Sequence, residues 1–136
     1  MSKAAQVKAP WLNSRDPGVP ATLNYSTLSM CGRVEAMVRR YPDYIAYEFM
    51  GKCTTYAEMW KKINACAKSL KAIGIREGDK VTICMPNAPQ TLCMFYAVNM
   101  VGAIANMVHP LSAESEIAFY LRDSGSVAAI TLDQFY

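Results

Sequence analysis

The spacing of apolar residues along this chain changes several times, and each change predicts a different element. Across residues 27–41 apolar side chains recur every three or four positions, which is the period of an amphipathic helix, and Pro42 ends that pattern. Two short runs at 45–49 and 52–54 lie on either side of Met50-Gly51. Strand-forming runs that flank a glycine-containing turn predict a β-hairpin.

The clearest helical pattern is TTYAEMWKKINACAKSLKAIG, residues 54–74. Thr55 and Glu58 have the spacing of a capping box, in which each side chain bonds the backbone N–H of the other residue. Gly74 suits the left-handed position that commonly follows a helix. One face of this predicted helix is apolar: Tyr56, Met59, Trp60, Ile63, Ala67 and Leu70.

In the second half of the chain, apolar runs of strand length alternate with segments of helix length. The runs 81–85, 103–108 and 127–131 predict strands, and 89–101 and about 113–123 predict helices. This alternation is typical of a mostly parallel sheet with helices packed on it. The predicted fold class is therefore α/β, with a β-α-β-α-β core preceded by a helix and a short hairpin.

Proline, glycine and serine mark the ends of these helices. Pro89 suits a first helical turn, Gly102 suits the left-handed position after the same helix, and Ser112 is predicted to cap the next one. Phe95 and Val98 are three residues apart on the first of these helices and therefore share a face. We predict that this face packs on the sheet.

No charged side chain occurs between Lys80 and Glu114, which raises the question of a membrane span. A transmembrane helix needs about 20 consecutive apolar residues. Prolines and amides interrupt this stretch at strand and helix lengths: Pro86, Asn87, Pro89, Gln90, Asn99, Asn106 and Pro110. Parallel strands covered on both faces also read as uncharged apolar runs. The stretch is therefore predicted to be a buried α/β core and not a transmembrane segment.

Composition narrows the class of protein further. The chain has 136 residues, of which 52% are apolar and 18% charged, which is too apolar for a disordered chain. Five cysteines without C-x-x-C spacing, together with the lack of a signal-peptide pattern, favour a reducing, cytoplasmic location. The net charge of +3 is not gathered into a long basic run, which argues against nucleic acid as a partner.

Two regions are predicted from the distribution of proline and polar residues. Residues 1–24 are expected to form an extended N-terminal arm, and residues 25–136 are expected to form the α/β unit. A sheet of three strands leaves an edge unpaired, and such edges are normally covered. The chain is therefore expected to be the opening part of a larger α/β protein, and to be capable of self-association when alone.

Candidate catalytic residues are scarce. Neither a G-x-G-x-x-G nor a G-x-x-x-x-G-K-[ST] phosphate loop occurs, and His109 is the only histidine, which excludes a His-based triad or a two-histidine metal site within the chain. His109 follows a predicted strand at the end where α/β folds place ligands, and the roles of loop residue and ligand contact both stay open for it. Asp79, Asp123 and Asp133 fall at turns and helix ends. No catalytic, cofactor-binding or metal-binding residue is assigned.

Several segments, in the same order, resemble the N-terminal region of the AMP-forming acyl-CoA synthetases, an adenylating superfamily that includes firefly luciferase and peptide adenylation domains. The similarity extends over about residues 25 to 136. The segments are Thr55–Met59 (T-Y-x-E-L in the family), Gly74 with Gly78–Val81 (G-x-x-x-G-D-x-V), Met85–Pro89 (L-P-N-S/A-x), Ala97–Pro110 (A-x-x-x-x-G-A-x-x-x-x-x-x-P) and Leu121–Thr131 (L-x-D-S-G-A-x-x-x-x-T).

The resemblance implies that the parent protein is an acid–thiol ligase. Such an enzyme joins a carboxylic acid to ATP, forms an acyl-adenylate and pyrophosphate, and passes the acyl group to the thiol of coenzyme A. It needs a phosphate-holding loop, Mg²⁺ and a lysine that stabilises developing charge. In the family those parts lie beyond the similar region, so no catalytic residue is carried over. The chain alone is expected to be inactive and to bind none of these cofactors tightly.

The branch of the family can be read from the residues that follow the glycine-alanine segment. Peptide adenylation domains usually have D-P-x-Y-P-x-E-R there, whereas this chain has HPLSAESEI, residues 109–117. An acyl-CoA ligase acting on a fatty acid or another carboxylic acid is favoured, with an amino-acid adenylation domain as the alternative within the family. A stand-alone flavodoxin-like binding module, or a non-enzymatic interaction domain made from a truncated synthetase, stay open as other classes.

Overall fold

The structure is a computed structural model that describes residues 10–135. Within this range there are four α-helices, which are α1 Met30–Arg40, α2 Tyr56–Ala72, α3 Pro89–Val101 and α4 Glu114–Ser124. The strands are β1 Ile45–Phe49, β2 Lys52–Thr55, β3 Lys80–Cys84, β4 Ile104–Val108 and β5 Ala128–Thr131. Short 3-10 turns cover Pro10–Ser14 and Asp133–Phe135.

The strands form two separate sheets. β1 and β2 make an antiparallel hairpin in which Phe49 pairs with Lys52. The second sheet has the order β4-β3-β5, and β3 is parallel to both of its neighbours. The predicted α/β class, the parallel β-α-β-α-β core and the preceding helix and hairpin are therefore confirmed.

The strand order places α3 and α4 on opposite faces of the parallel sheet. The connection from β3 leads to β4 on one side of β3, and the connection from β4 crosses over β3 to β5 on its other side. The two connections run in opposite directions along the sheet. Since such crossovers are right-handed, their helices cover different faces. Val81 and Ile83 on β3 are fully buried in the core cluster shared with α2 and α3. Thr82 points to the other face, where its hydroxyl group lies 2.7 Å from that of Ser126, just after α4.

Helix α2 begins and ends as its sequence predicts. The Thr55 hydroxyl accepts from the backbone N–H of Glu58 (3.2 Å), and the Glu58 carboxylate accepts from that of Thr55 (2.9 Å). These two bonds satisfy N–H groups that have no partner within the helix. Gly74 follows the helix with φ +95°. The inward face is buried at Met59, Ile63, Ala67 and Leu70, and it is partly buried at Tyr56 and Trp60.

Helix α3 is also bounded as predicted, but only part of its expected core face is buried. Pro89 occupies the first turn, and Gly102 follows with φ +85° and ψ +10°. Ala97 and Val98 are fully buried, whereas Phe95 is only partly buried against the core. Phe95 packs against the core cluster that contains Val98 and also lines an apolar cleft beside the hairpin, so the face predicted to pack on the sheet is completely buried only at Val98. Within residues 10–135 no helix is both long and apolar enough to cross a membrane.

Two predicted helix starts differ from the structure. Helix α1 begins at Met30 and not near residue 27, because the Ser29 hydroxyl accepts from the backbone N–H of Gly32 (3.0 Å) and caps the helix there. Ser112 does not cap α4. The capping position is Ala113, whose backbone N–H donates to the Glu116 carboxylate (3.2 Å) from within the first turn.

The N-terminal arm lies partly outside the described residues, which begin at residue 10. Its described part is not extended throughout, since Pro10–Ser14 form a 3-10 turn. Trp11 in this turn has 65% of its surface exposed.

Candidate functional site

A crevice opens at the carboxyl ends of β3 and β4, where the topology of the sheet separates two neighbouring loops. The chain leaving β3 runs to α3 on one face of the sheet, and the chain leaving β4 runs to α4 on the other face. In open α/β sheets ligands bind outside the carboxyl ends of the strands. This crevice is therefore the candidate site, because it lies at that edge of the sheet.

The crevice has a volume of 410 Å³ and two walls, one from each loop. The β3 loop contributes Met85, Pro86 and Asn87, and the β4 side contributes Met107, Val108, His109, Pro110 and Leu111. Most of these side chains are apolar. The exposed side chains of Asn87 and His109 supply the polar groups of the lining.

His109 is held in place by its backbone and by one ring nitrogen. Its Nδ1 accepts a hydrogen bond from the backbone N–H of Leu111 (3.2 Å), and its carbonyl accepts from the N–H of Ser112 (3.2 Å). With Nδ1 accepting, the neutral imidazole carries its proton on Nε2, which is then a donor. The sequence left two roles open for His109, that of a loop residue and that of a ligand contact. The structure places its side chain in the lining of the crevice. Contact with a ligand there stays a prediction.

A larger apolar cleft adjoins the crevice and shares two residues with it, Asn87 and Met107. It has a volume of 480 Å³ and lies between the hairpin and the first two turns of α3. Its remaining lining is Tyr47, Glu48, Phe49, Ala88, Pro89, Thr91, Leu92, Phe95 and Tyr96. Sequence reasoning missed this cleft, because the hairpin and α3 come together only through tertiary packing.

The charged groups needed for phosphate chemistry do not line the crevice. Its eight lining residues include no carboxylate for Mg²⁺ and no lysine or arginine for phosphate oxygens. Asp79 lies before β3, where its carboxylate accepts from the backbone N–H of Arg76 (2.7 Å), and Asp133 lies after β5. Within residues 10–135 no three His, Cys, Asp or Glu side chains are grouped to hold a metal ion. The lining of the crevice thus does not fit a magnesium triphosphate.

Four of the five cysteines have pKa values unsuited to nucleophilic catalysis. Burial raises the pKa of Cys31, Cys66, Cys84 and Cys93 above the ordinary value of a thiol. The nucleophile is the thiolate, and a raised pKa keeps these groups protonated at neutral pH.

Comparison with known proteins identifies a group of enzymes. Residues 34–135 match the family described as AMP-binding enzyme. A long-chain-fatty-acid–CoA ligase of Bacillus subtilis is 30% identical over 131 residues, which are 96% of this chain and 23% of the ligase. The ligase FadD13 of Mycobacterium tuberculosis is 42% identical over 76 residues, 56% of this chain and 15% of that protein. The chain therefore spans about a quarter or less of the relatives it matches.

Solved structures agree with this comparison. The N-terminal subdomain of NpsA from Klebsiella oxytoca superposes with a TM-score of 0.73 at 26% identity, covering 76% of this chain and 27% of that one. The O-succinylbenzoate coenzyme A synthetase of Bacillus subtilis, solved in complex with AMP, gives a TM-score of 0.73 at 25% identity over 76% of this chain. It is covered over 27% of its own length.

Proposed function

Because the chain belongs to the family of AMP-binding enzymes, we propose that it is the N-terminal α/β part of an AMP-forming acyl-CoA ligase whose substrate is a fatty acid. The observation that carries this proposal is the match to the Bacillus subtilis ligase, which includes nearly the whole of this chain. Similarity over nearly the whole chain supports the same position in the fold as the N-terminal part of that ligase. A short motif in common would not extend so far.

The role proposed for this segment is structural. The complete enzyme would activate the carboxylate with ATP, release pyrophosphate and transfer the acyl group to coenzyme A. Mg²⁺ would balance the charge of the phosphates during the first step. The groups that hold ATP and Mg²⁺ would come from other parts of the enzyme, since the crevice between β3 and β4 has no charged lining. This segment would supply part of the buried sheet against which those groups are arranged.

A fatty acid is the substrate class best supported among carboxylic acids. The relatives named above are long-chain-fatty-acid–CoA ligases. The two structural neighbours named above differ from these ligases in what they hold or act on, since one NpsA structure holds anthranilyl-AMSN and the other neighbour is an O-succinylbenzoate coenzyme A synthetase. The loop HPLSAESEI also differs from the D-P-x-Y-P-x-E-R pattern of peptide adenylation domains.

The experiment that tests the proposal is a segment exchange. The matching segment of the Bacillus subtilis ligase is replaced by this chain, and acyl-CoA formation is measured with a long-chain fatty acid, ATP, Mg²⁺ and coenzyme A. We expect activity well above that of the ligase without the segment. The same chimera with Val98→Asp, which places a charge at a fully buried position, is the control and should be inactive. A chimera with native secondary structure and thermal unfolding but no activity would contradict the proposal.

The flavodoxin-like alternative shares the strand order of the parallel sheet. The order β4-β3-β5 corresponds to the first three strands of a flavodoxin-like sheet. The comparisons nevertheless support adenylating enzymes, and no finding favours the alternative over them.

Two further properties belong to the proposal. A cytoplasmic location is supported by the free state of all five cysteines. Self-association of the isolated chain is supported by exposed apolar residues at the outer strands, where Ile104 and Met107 of β4 are each more than half exposed. Sedimentation velocity over a range of concentrations measures the association, and a strictly monomeric chain at all concentrations would exclude it.

A further inference from the structure

The parallel sheet ends at β4, whose outer side has no strand beside it within residues 10–135. Edge strands are normally protected by a charge, a proline or a bulge, because their unpaired backbone groups attract other strands. The sequence of β4 is IANMV, and its pairing with β3 continues without a bulge along the whole strand. Ile104 is 53% exposed and Met107 is 51% exposed. β4 is therefore an unprotected and apolar edge.

The direction of each backbone group of β4 follows from one hydrogen bond. The N–H of Ile104 donates to the carbonyl of Asp79, just before β3 (2.7 Å). Backbone groups of successive residues point to opposite sides of a strand, so every second residue from Ile104 to Val108 bonds β3. Ala105 and Met107 then direct their N–H and C=O groups to the open edge. Addition of a strand to a sheet edge uses such groups.

We propose that the β4 edge binds a second copy of this chain, with the two β4 strands antiparallel and a two-fold axis at Asn106. In this register Ala105 of each copy lies opposite Met107 of the other, and each of these pairs exchanges both of its backbone hydrogen bonds. The pairing thus satisfies all the backbone groups that β4 directs outwards. A two-fold interface of this kind uses the same patch on both copies.

The side chains of β4 fit this register, since opposite residues of antiparallel strands share a face. On the face covered by α3, the long side chain of Met107 meets the small side chain of Ala105. On the other face Ile104 meets Val108, and the two Asn106 amides meet at the axis, where an amide can both donate and accept. No like charges are brought together, because β4 carries no charge.

The neighbouring two-fold registers leave backbone groups without a free partner. An axis at Ala105 would pair Met107 with Ala103, whose N–H already donates to a carbonyl at the end of α3. An axis at Met107 would pair Ala105 with His109, whose carbonyl already accepts from the N–H of Ser112 (3.2 Å). The axis at Asn106 is therefore the one that the hydrogen bonds favour.

This interface rests on the self-association of the isolated chain proposed above, and it names the surface and the register. It does not depend on ligase activity, which the segment exchange measures separately. The two proposals can therefore fail independently of each other.

The first test detects the register by cysteine cross-linking, because position 106 lies opposite its own copy. Cα atoms of such a non-hydrogen-bonded pair are about 4.5 Å apart, a distance that a disulfide spans. Asn106→Cys and Ile104→Cys are each made with Cys53→Ser, which removes the exposed native thiol, and are treated with oxidised glutathione. Asn106→Cys should form a covalent dimer on a non-reducing gel.

Ile104→Cys is the matched control, because position 104 is more exposed than position 106. In the proposed register it lies four residues from its own copy, about 14 Å along the strand, and should stay monomeric. Circular dichroism checks that Asn106→Cys folds without the amide bond to the Thr82 hydroxyl (3.0 Å). Cross-linking at position 104 that equals or exceeds cross-linking at position 106 would overturn the register.

The second test measures the association itself by sedimentation velocity and tests the edge without altering Asn106. Met107→Lys places a charge on the edge and should raise the dissociation constant of the dimer by roughly tenfold or more. Met50→Lys is the same substitution at a methionine that is 91% exposed at the tip of the hairpin, and it should leave the constant unchanged. Equal effects of the two substitutions would exclude β4 as the interface, and a wild-type chain that is monomeric at every concentration would also overturn the self-association.

Discussion

Substitution of Gly102 by alanine tests how the chain passes from α3 to β4. Gly102 has φ +85°, and a Cβ atom there would lie 3.0 Å from Cγ and 3.3 Å from Cβ of Glu77. Gly74 is the matched control, because its φ is +95° and an added Cβ would meet no atom within 4 Å. The two positions therefore share the backbone conformation and differ in the contact.

The expected magnitudes follow from these two terms. An L-residue in left-handed backbone is destabilised by about 1–2 kcal/mol, which is the whole effect expected for Gly74→Ala. At Gly102 the Glu77 side chain must also leave its preferred rotamer, which adds about 0.5–1.5 kcal/mol. Gly102→Ala is thus expected to lower the free energy of unfolding by about 1.5–3.5 kcal/mol. Gly102→Val should lower it further, because a β-branched side chain is stiffer and larger.

The assay is urea denaturation followed by circular dichroism, with the free energy of unfolding taken from the midpoint and slope. The variant Glu77→Ala/Gly102→Ala removes the Cγ contact and should regain part of the difference between the two glycine variants. Residues in contact give such non-additive changes. Equal destabilisation at Gly74 and Gly102, or strict additivity with Glu77→Ala, would refute the role given to the contact.

The remaining predictions concern packing, the polar network, pH and activity. Val98→Ala changes a fully buried position and should lower the free energy of unfolding by about 2–3 kcal/mol. Phe95→Ala changes a partly buried position and should lower the free energy of unfolding by less. A larger effect of Phe95→Ala in urea denaturation would contradict the different burial of the two side chains. Thr82→Val should lower the free energy of unfolding by about 1–2 kcal/mol, because the Thr82 hydroxyl accepts a hydrogen bond from the Asn106 amide (3.0 Å). Thr82→Ser keeps the hydroxyl and should be less destabilising. Equal effects of the two substitutions would exclude the hydrogen bond as the cause. The backbone N–H of Thr55 lowers the pKa of the Glu58 carboxyl below its ordinary 4.5. The stabilisation by Glu58 should therefore be full above about pH 4.5 and be lost as the pH falls through the lowered pKa. The thermal midpoint of wild type should exceed that of Glu58→Ala by less as the pH falls, and a difference that does not shrink would contradict this. The isolated chain should release no pyrophosphate from ATP with Mg²⁺ and a panel of fatty and aromatic acids, and turnover above a heat-killed control would show that the expectation of inactivity is wrong.

The ends of the elements could be predicted from the sequence because they depend on neighbouring residues. The Thr55–Glu58 capping box, Pro89 in the first turn of α3 and Gly102 after its last turn act within one or two helical turns of the chain. The periods of apolar residues separated strands from helices for the same reason. The one misplaced cap, Ser112, shows the limit of this reasoning, since the helix begins one residue later at Ala113, whose own backbone N–H donates to the Glu116 carboxylate.

The sequence by itself determined the α/β class, the bounds of most elements and the resemblance to adenylating enzymes. The tertiary structure alone decided the strand order β4-β3-β5, the partial exposure of Phe95 and the apolar cleft between the hairpin and α3. These features rest on contacts between residues far apart in the chain, such as the bond from the Cys31 N–H to the Asn99 side chain, 68 positions away. Periodicity reports which face of a helix is apolar, but it carries no information on which distant surface covers that face. Packing makes that choice, and with it fixes the crevice and the apolar cleft.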